Sequence, residues 1–262
     1  MPIWVDGVEG GCIAGDDPGF TRGLNAFDTA RTYGRAPFRL ARHLARLEAS
    51  AATMGIPWPG RALLEAEIAA AIDEDVILRV TLTAGGRRVL DVKPIDPAYV
   101  GAPITLARVG WPAMPGLPGT VKHGSRAGWA LTARALGATE ILLVRDGRVL
   151  EANRSNVFAV VDGVIVTPPL TGEQLSGVTR GGMVEAGRRA GLPLEEAPLS
   201  ADADFQELYV SSTLKELSPV SHLDGRPVGG GPLGAKLHAA FKALVAEECG
   251  RQVEQGAGEA PR

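Results

Sequence analysis

Apolar residues recur at helical spacing from Leu40 through Leu44, Leu47 and Ala51 to Met54, and Gly55 followed by Pro57 stops the run. An Ala-rich stretch at 63–72 predicts a second helix. Alternation then takes over: 76–83 predicts a strand, which Gly85-Gly86 turns back into 88–92. Ahead of these lie candidate strands at 3–6 and 23–32, broken by Gly10-Gly11 and Asp16-Asp17-Pro18-Gly19. Past the middle, a helix at 125–136 closes on Gly137 and precedes four short runs at 140–145, 148–152, 156–161 and 164–167. Asp146-Gly147 and Asp162-Gly163 fall between these runs and are two-residue hairpin signals. A helix at 179–190, strands at 194–198 and 207–211, and a last helix at 233–248 complete the pattern. The tail after Gly250 is expected to fray. Helices mixed with hairpins, without a regular βαβ repeat, predict an α+β fold.

One stretch breaks every period. Gly110-Trp-Pro-Ala-Met-Pro-Gly-Leu-Pro-Gly119 holds three prolines and three glycines, which exclude helix and interior strand. It reads as a connection between a smaller N-terminal α/β domain at 1–110 and a larger C-terminal domain at 120–262, with 111–119 between them. A chain of 262 residues is long enough to bury about three-quarters of its unfolded surface.

Charge and cysteine content narrow the function classes. A formal charge of −3 provides no basic field, so neither nucleic acid nor a membrane surface is an expected partner. No apolar run reaches the length of a membrane-spanning helix. The N-terminus lacks a basic stretch ahead of an apolar one, so a cytoplasmic protein is expected. Cys12 and Cys249 lie near opposite ends, and reduced thiols are expected of both. Four histidines without ligand spacing predict no metal site.

The chain has only five lysines against 22 arginines. Lys93, Lys215, Lys236 and Lys242 read as solvated charges, and Arg87-Arg88 as a solvated hairpin tip. Lys122 stands apart: it follows the Pro/Gly-rich connection and precedes His123-Gly124-Ser125, a helix start, at a domain junction of the kind where cofactor pockets form. Around it run five blocks in order. They are Phe27-Asp-Thr-Ala-Arg31 with Phe38-Arg-Leu-Ala-Arg-His43-Leu-Ala-Arg46-Leu47; Lys122-His-Gly-Ser-Arg126; Glu151-Ala-Asn-Arg-Ser-Asn156-Val-Phe158; Gly177-Val-Thr179-Arg180; and Ser211-Ser-Thr213-Leu-Lys-Glu216-Leu-Ser-Pro219-Val220. In that order and spacing the chain resembles the fold type IV (class IV) pyridoxal-phosphate enzymes: branched-chain and D-amino-acid aminotransferases and aminodeoxychorismate lyase.

The resemblance implies a two-domain fold type IV chain whose C-terminal domain is an α/β pseudo-barrel, with pyridoxal 5'-phosphate in the cleft between domains. It implies Lys122 as the Schiff-base lysine, later free to move protons, and Glu151 as the acid that keeps the pyridine nitrogen protonated. It places Ser155 and Asn156 beside Glu151. It gives the phosphate to Arg46, to Gly177, Val178 and Thr179 at a helix start, and to Ser212 and Thr213. A free helix N-terminus suits an anion. For the substrate carboxylate the candidates are Arg79, Arg126 and Arg31, because a bidentate guanidinium matches a carboxylate. An aminotransferase acting on an amino acid and a 2-keto acid is the first reading. Lys-His-Gly-Ser-Arg at 122–126 keeps aminodeoxychorismate lyase as the alternative, and a non-catalytic pyridoxal-phosphate-binding relative as a further one. Ala127 occupies the place of a tyrosine that touches the cofactor phenolate in branched-chain enzymes. A homodimer is the family expectation.

Overall fold

Among the described residues, Asp-Gly pairs at 6, 146, 162 and 224 close four hairpins. The computed structural model describes residues 2–111 and 115–258, with side chains described to residue 250. Its chain forms two compact units that interleave in sequence, where the sequence reading places three consecutive stretches. The first unit runs to Ile95, takes in Val121–Ser125, and resumes at Val245; the second comprises Asp96–Thr120 and Arg126–Leu244.

The first unit contains β1 (Ile3–Val5), β2 (Val8–Glu9), α1 (Pro18–Thr21), β3 (Asn25–Tyr33), β4 (Ala36–Pro37), α2 (Leu40–Thr53), α3 (Arg61–Ala70), β5 (Val76–Thr83) and β6 (Arg88–Pro94). Its strands form one antiparallel sheet in the order β2-β1-β6-β5-β3-β4. Alternation in β3 and β5 sends Ala26, Leu78, Val80 and Leu82 to one face, against Leu44, Leu47 and Ala51 of α2 and Leu64 and Ile68 of α3. Each large apolar side chain sealed there contributes about 1.5–3 kcal/mol over an exposed one. Phe27, Thr29 and Arg31 point to the other face, and register places Arg79 opposite Thr29 and Thr81 opposite Phe27.

The second unit contains a 3₁₀ turn at Pro97–Tyr99, β7 (Ile104–Gly110), α4 (Ala127–Ala135), β8 (Glu140–Arg145), β9 (Arg148–Ala152), β10 (Asn156–Val161), β11 (Val164–Thr167), α5 (Val178–Arg189), β12 (Leu194–Glu196), β13 (Glu207–Ser212), β14 (Glu216–Leu223) and β15 (Arg226–Pro227). The nine-stranded mixed sheet follows β12-β11-β10-β13-β14-β7-β8-β9, with β15 on β14. The pairs β11/β12, β14/β7 and β7/β8 are parallel. Asp146-Gly147 and Asp162-Gly163 turn with both residues at positive φ, the backbone that a two-residue hairpin demands. Helix α6 (Pro232–Gly258) passes through both sequence sets.

Several expectations need correction. The last helix continues ten residues beyond Glu248, because residues 251–258 carry no proline and include residues that helices accept. Strands β7 and β14 have no counterpart in the sequence reading. Pro219 argues against an interior strand, yet the parallel pairing of β14 with β7 begins only at Val220. The expected connection at 110–119 falls partly on 112–114, outside the described residues.

Candidate active site

In the first unit, the segment that bears Lys122 is stitched onto β3. The Phe27 N–H donates to the Lys122 carbonyl at 3.0 Å, and Ala26 bridges His123. Helix α2 holds the same segment from its other side: the Lys122 N–H donates to Ser50 Oγ at 3.1 Å, while Ser50 donates to the Arg46 carbonyl at 2.9 Å. The lysine amine stands 5.0 Å from the centroid of the Phe27 ring. The Arg79 guanidinium packs on that ring too, 3.7 Å from its centroid. Arg79 makes one long hydrogen bond, to Thr81 Oγ1 at 3.4 Å, and no ion pair among the described residues. Burial pulls its pKa below the ordinary guanidinium value, against the opposing field of Asp91. Both cations lean on the same aromatic ring.

Beneath the sheet lies a buried charge cluster. Asp28 accepts from Arg46 Nε at 2.8 Å and Nη2 at 2.9 Å, and its Oδ1 lies 2.8 Å from His43 Nδ1. Burial alone would raise the Asp28 pKa; the Arg46 charge and the hydrogen bonds from His43 and Arg46 overcome it and hold the carboxyl far below its ordinary range. His43 is pushed down, first by burial and further by the Arg46 and Lys122 charges, against the pull of Asp28. Arg46 therefore sits on the α2 side of the sheet, clamped bidentately, and Arg79 on the opposite face. Arg31 packs 4.6 Å above the Tyr33 ring.

In the second unit, Glu151 is the next-to-last residue of β9, in a buried position. Its Oε2 accepts from Asn156 Nδ2 and from the Leu175 N–H, both at 3.2 Å. Asn156 also donates to the Leu175 carbonyl at 3.0 Å, joining the β9–β10 turn to the approach to α5. A Cβ on Gly177 would fall 1.9 Å from Asn156 Oδ1, so the glycine leaves room for the Asn156 side chain as it stands. Gly177 precedes α5 without a side-chain cap, which leaves the first-turn N–H groups of Val178 and Thr179 to other partners. Ser212 and Thr213 lie at the turn after β13, where Ser212 Oγ accepts the Lys215 N–H at 3.3 Å. Arg126 precedes Ala127 at the start of α4, lies 4.9 Å from the Trp129 ring and donates to the Asn153 carbonyl.

These donor sets suit the two ends of a pyridoxal phosphate. An uncapped helix start with the Thr179, Ser212 and Thr213 hydroxyls matches a phosphate, and a buried carboxylate matches a protonated ring nitrogen. Among the described residues, three or more His, Cys, Asp or Glu side chains come together nowhere as a metal site, and no helix is long and apolar enough to cross a membrane.

Sequence reasoning passed over Asp28, His43 and Ser50 as site residues. Their signal was readable: His43, Arg46 and Ser50 follow one another at three- and four-residue spacing within the apolar stripe of α2. Lys215, read as solvated, is 3% exposed; its amine donates to Glu140 at 2.6 Å. Arg88 likewise is no free hairpin tip but pairs with Glu67 and Asp6.

The family model for amino-transferase class IV matches residues 25–223. D-alanine aminotransferase of Listeria monocytogenes serotype 4b is 29% identical over 272 residues, covering 90% of this chain and 91% of the relative. The branched-chain-amino-acid aminotransferase of Escherichia coli K12 is 27% identical, covering 86% and 85%. A hypothetical aminotransferase from Mycobacterium tuberculosis, in its alpha-ketoglutarate and PMP bound form, superposes with a TM-score of 0.83 at 24% identity, over 95% of this chain and 100% of that one. The expected fold type IV architecture is thereby met.

Proposed function

The chain belongs to the class IV aminotransferase family, and from that premise we propose that it moves an amino group between an amino acid and a 2-keto acid. Pyridoxal phosphate is the cofactor of this reading, and D-amino acids or branched-chain amino acids are the donor classes, by likeness to the two relatives. The observation that carries it is the shared Phe27 ring, with the Lys122 amine at 5.0 Å and the Arg79 guanidinium at 3.7 Å from one centroid. An amine that handles protons and a fixed carboxylate receptor are the two groups an amino-acid substrate requires.

When bound, pyridoxal phosphate supplies a carbonyl that captures the amino group and a ring that accepts electron density. Lys122 would hold the cofactor, and its amine would move the proton at the substrate Cα. Glu151 keeps a proton on the ring nitrogen, and Asn156 and the Leu175 N–H orient its carboxylate. In the second unit the start of α5 and the Ser212-Thr213 turn take the phosphate; Arg46, given to the phosphate by the resemblance, has its fork fixed by Asp28 within the first unit. Arg79, packed on the Phe27 ring, binds the substrate carboxylate. Small-molecule substrates, a homodimer and a cytoplasmic location complete the proposal; the free Cys12 and Cys249 accord with a reducing compartment.

The test is the visible spectrum of the purified protein before and after a panel of D- and L-amino acids. A pyridoxal-phosphate band bleached by one donor, with a keto acid restoring it, is the expected result. A band that no amino acid bleaches would shift the reading to the lyase, with aminodeoxychorismate as the next compound. No band after reconstitution overturns the proposal.

A further inference from the structure

The lysine read as a surface charge turns out to lie at the centre of a buried polar tie in the second unit. Lys215 Nζ donates to Glu140 Oε1 at 2.6 Å and to Tyr99 Oη at 3.1 Å, and the amine also lies 4.8 Å from the Tyr99 ring. Glu140 opens β8 and is fully buried. The same oxygen accepts from Ser155 Oγ at 3.1 Å, and the half-exposed Arg154 brings Nε to 3.8 Å. At its backbone end Lys215 donates to Ser212 Oγ. One connected path therefore runs from the Ser212-Thr213 turn through Lys215 and Glu140 to Ser155, next to Asn156 and the β9–β10 turn that carries Glu151.

A buried ion pair is weak evidence for stability, since a well-packed apolar pair of the same volume does as well. What a charged pair adds is a fixed geometry between the elements it joins. The two elements joined here are those to which the proposed function gives opposite ends of the cofactor. Resting on that reading, we infer that Lys215 and Glu140 are positioning residues that set the spacing between the phosphate-binding turn and the carboxylate facing the ring nitrogen. Neither touches the cofactor; both act through Ser212 and Ser155.

The experiment compares the wild-type enzyme with Lys215→Met, Glu140→Gln and the double variant, measuring the Kd for pyridoxal phosphate by titrating the apoenzyme, together with thermal stability. Lys215→Met alone strips the buried Glu140 carboxylate of its near counter-charge, leaving Arg154 at 3.8 Å, and lowers the melting temperature. The double variant removes both charges and regains stability. Positioning requires that its cofactor Kd nevertheless stay raised, by about tenfold or more, the range in which groups bracing ligand-bearing residues act. A Kd that recovers along with the melting temperature overturns the inference and leaves the pair a structural one. Glu151→Gln is measured in parallel, as a change in the spectrum of bound cofactor. If that change occurs while the double variant binds normally, the proposed function stands and the positioning role falls. If the wild-type protein binds no pyridoxal phosphate, both fall.

Discussion

Replacing Asp28 by Asn removes the charge that organises the cluster under the first unit's sheet. The carboxylate is 3% exposed and the Arg46 side chain 12%, so the substitution leaves a guanidinium nearly out of water with no counter-charge from Asp28. Breaking a buried pair from one side costs about 3–5 kcal/mol, and because Asn keeps one acceptor oxygen the lower end, about 3 kcal/mol, is expected. At this chain length that is a fall of roughly 6–12 °C in melting temperature. The pH dependence is a second, independent signature. The folded-state pKa of Asp28 lies below that of the unfolded chain, so its stabilisation is fully present above an unfolded value of about 3.9 and is lost as pH falls toward the folded one. The gap between wild type and Asp28→Asn, measured by urea unfolding, is therefore wide at pH 7 and narrows below about pH 4. A gap under about 1 kcal/mol at pH 7, or one that keeps its size at pH 3, would refute the assignment of the cluster as a stabilising buried ion pair.

Three other outcomes are expected. His43→Gln should flatten the pH profile of stability below pH 6.5: a depressed folded pKa means wild type loses stability as pH falls through that region, and Gln has no proton to gain. Arg79→Met should raise the KM for the amino donor by about 10–100-fold while binding of pyridoxal phosphate to the apoenzyme stays unchanged, since a charge-assisted hydrogen bond contributes about 1.5–3 kcal/mol; a lost cofactor with an unchanged KM would assign Arg79 to the wrong ligand. A thiol reagent should label one cysteine per native chain and two after denaturation, because Cys12 is exposed whereas Cys249 is buried with its pKa raised to about 11. Mass spectrometry of the native adduct checks which one.

The elements with their own local signals were legible. The helix stripe through Leu44, Leu47 and Ala51, the alternation of 76–83 and the Asp-Gly hairpins at 146 and 162 all declare themselves within a dozen residues. Two further Asp-Gly pairs, at 6 and 224, join β1 to β2 and β14 to β15 by the same chemistry, but β2 and β15 are two residues long and show no alternation. Strand β7 pairs in parallel on both sides, so its partners lie more than 30 residues away and no turn marks it. The motif blocks picked out Lys122, Glu151 and Thr179 through resemblance. Spacing on α2 could have found the Asp28 cluster. Lys215 was out of reach, since its burial depends on Glu140, 75 positions away.

The first unit is assembled from stretches that the ribosome delivers far apart in time. Arg39, at the start of α2, forms its two-pronged pair with Glu248, Nε at 2.9 Å and Nη2 at 2.5 Å. Between Ile95 and Glu248 synthesis takes roughly 10–30 s at ordinary elongation rates. For that interval the first unit waits for its last segment, and Lys122 arrives early in it, on a strap of five residues. The unit is therefore completed only once the stretch from Val245 to Glu248 is made: a polypeptide ending before Val245 builds the sheet yet leaves Arg39 without the Glu248 carboxylate.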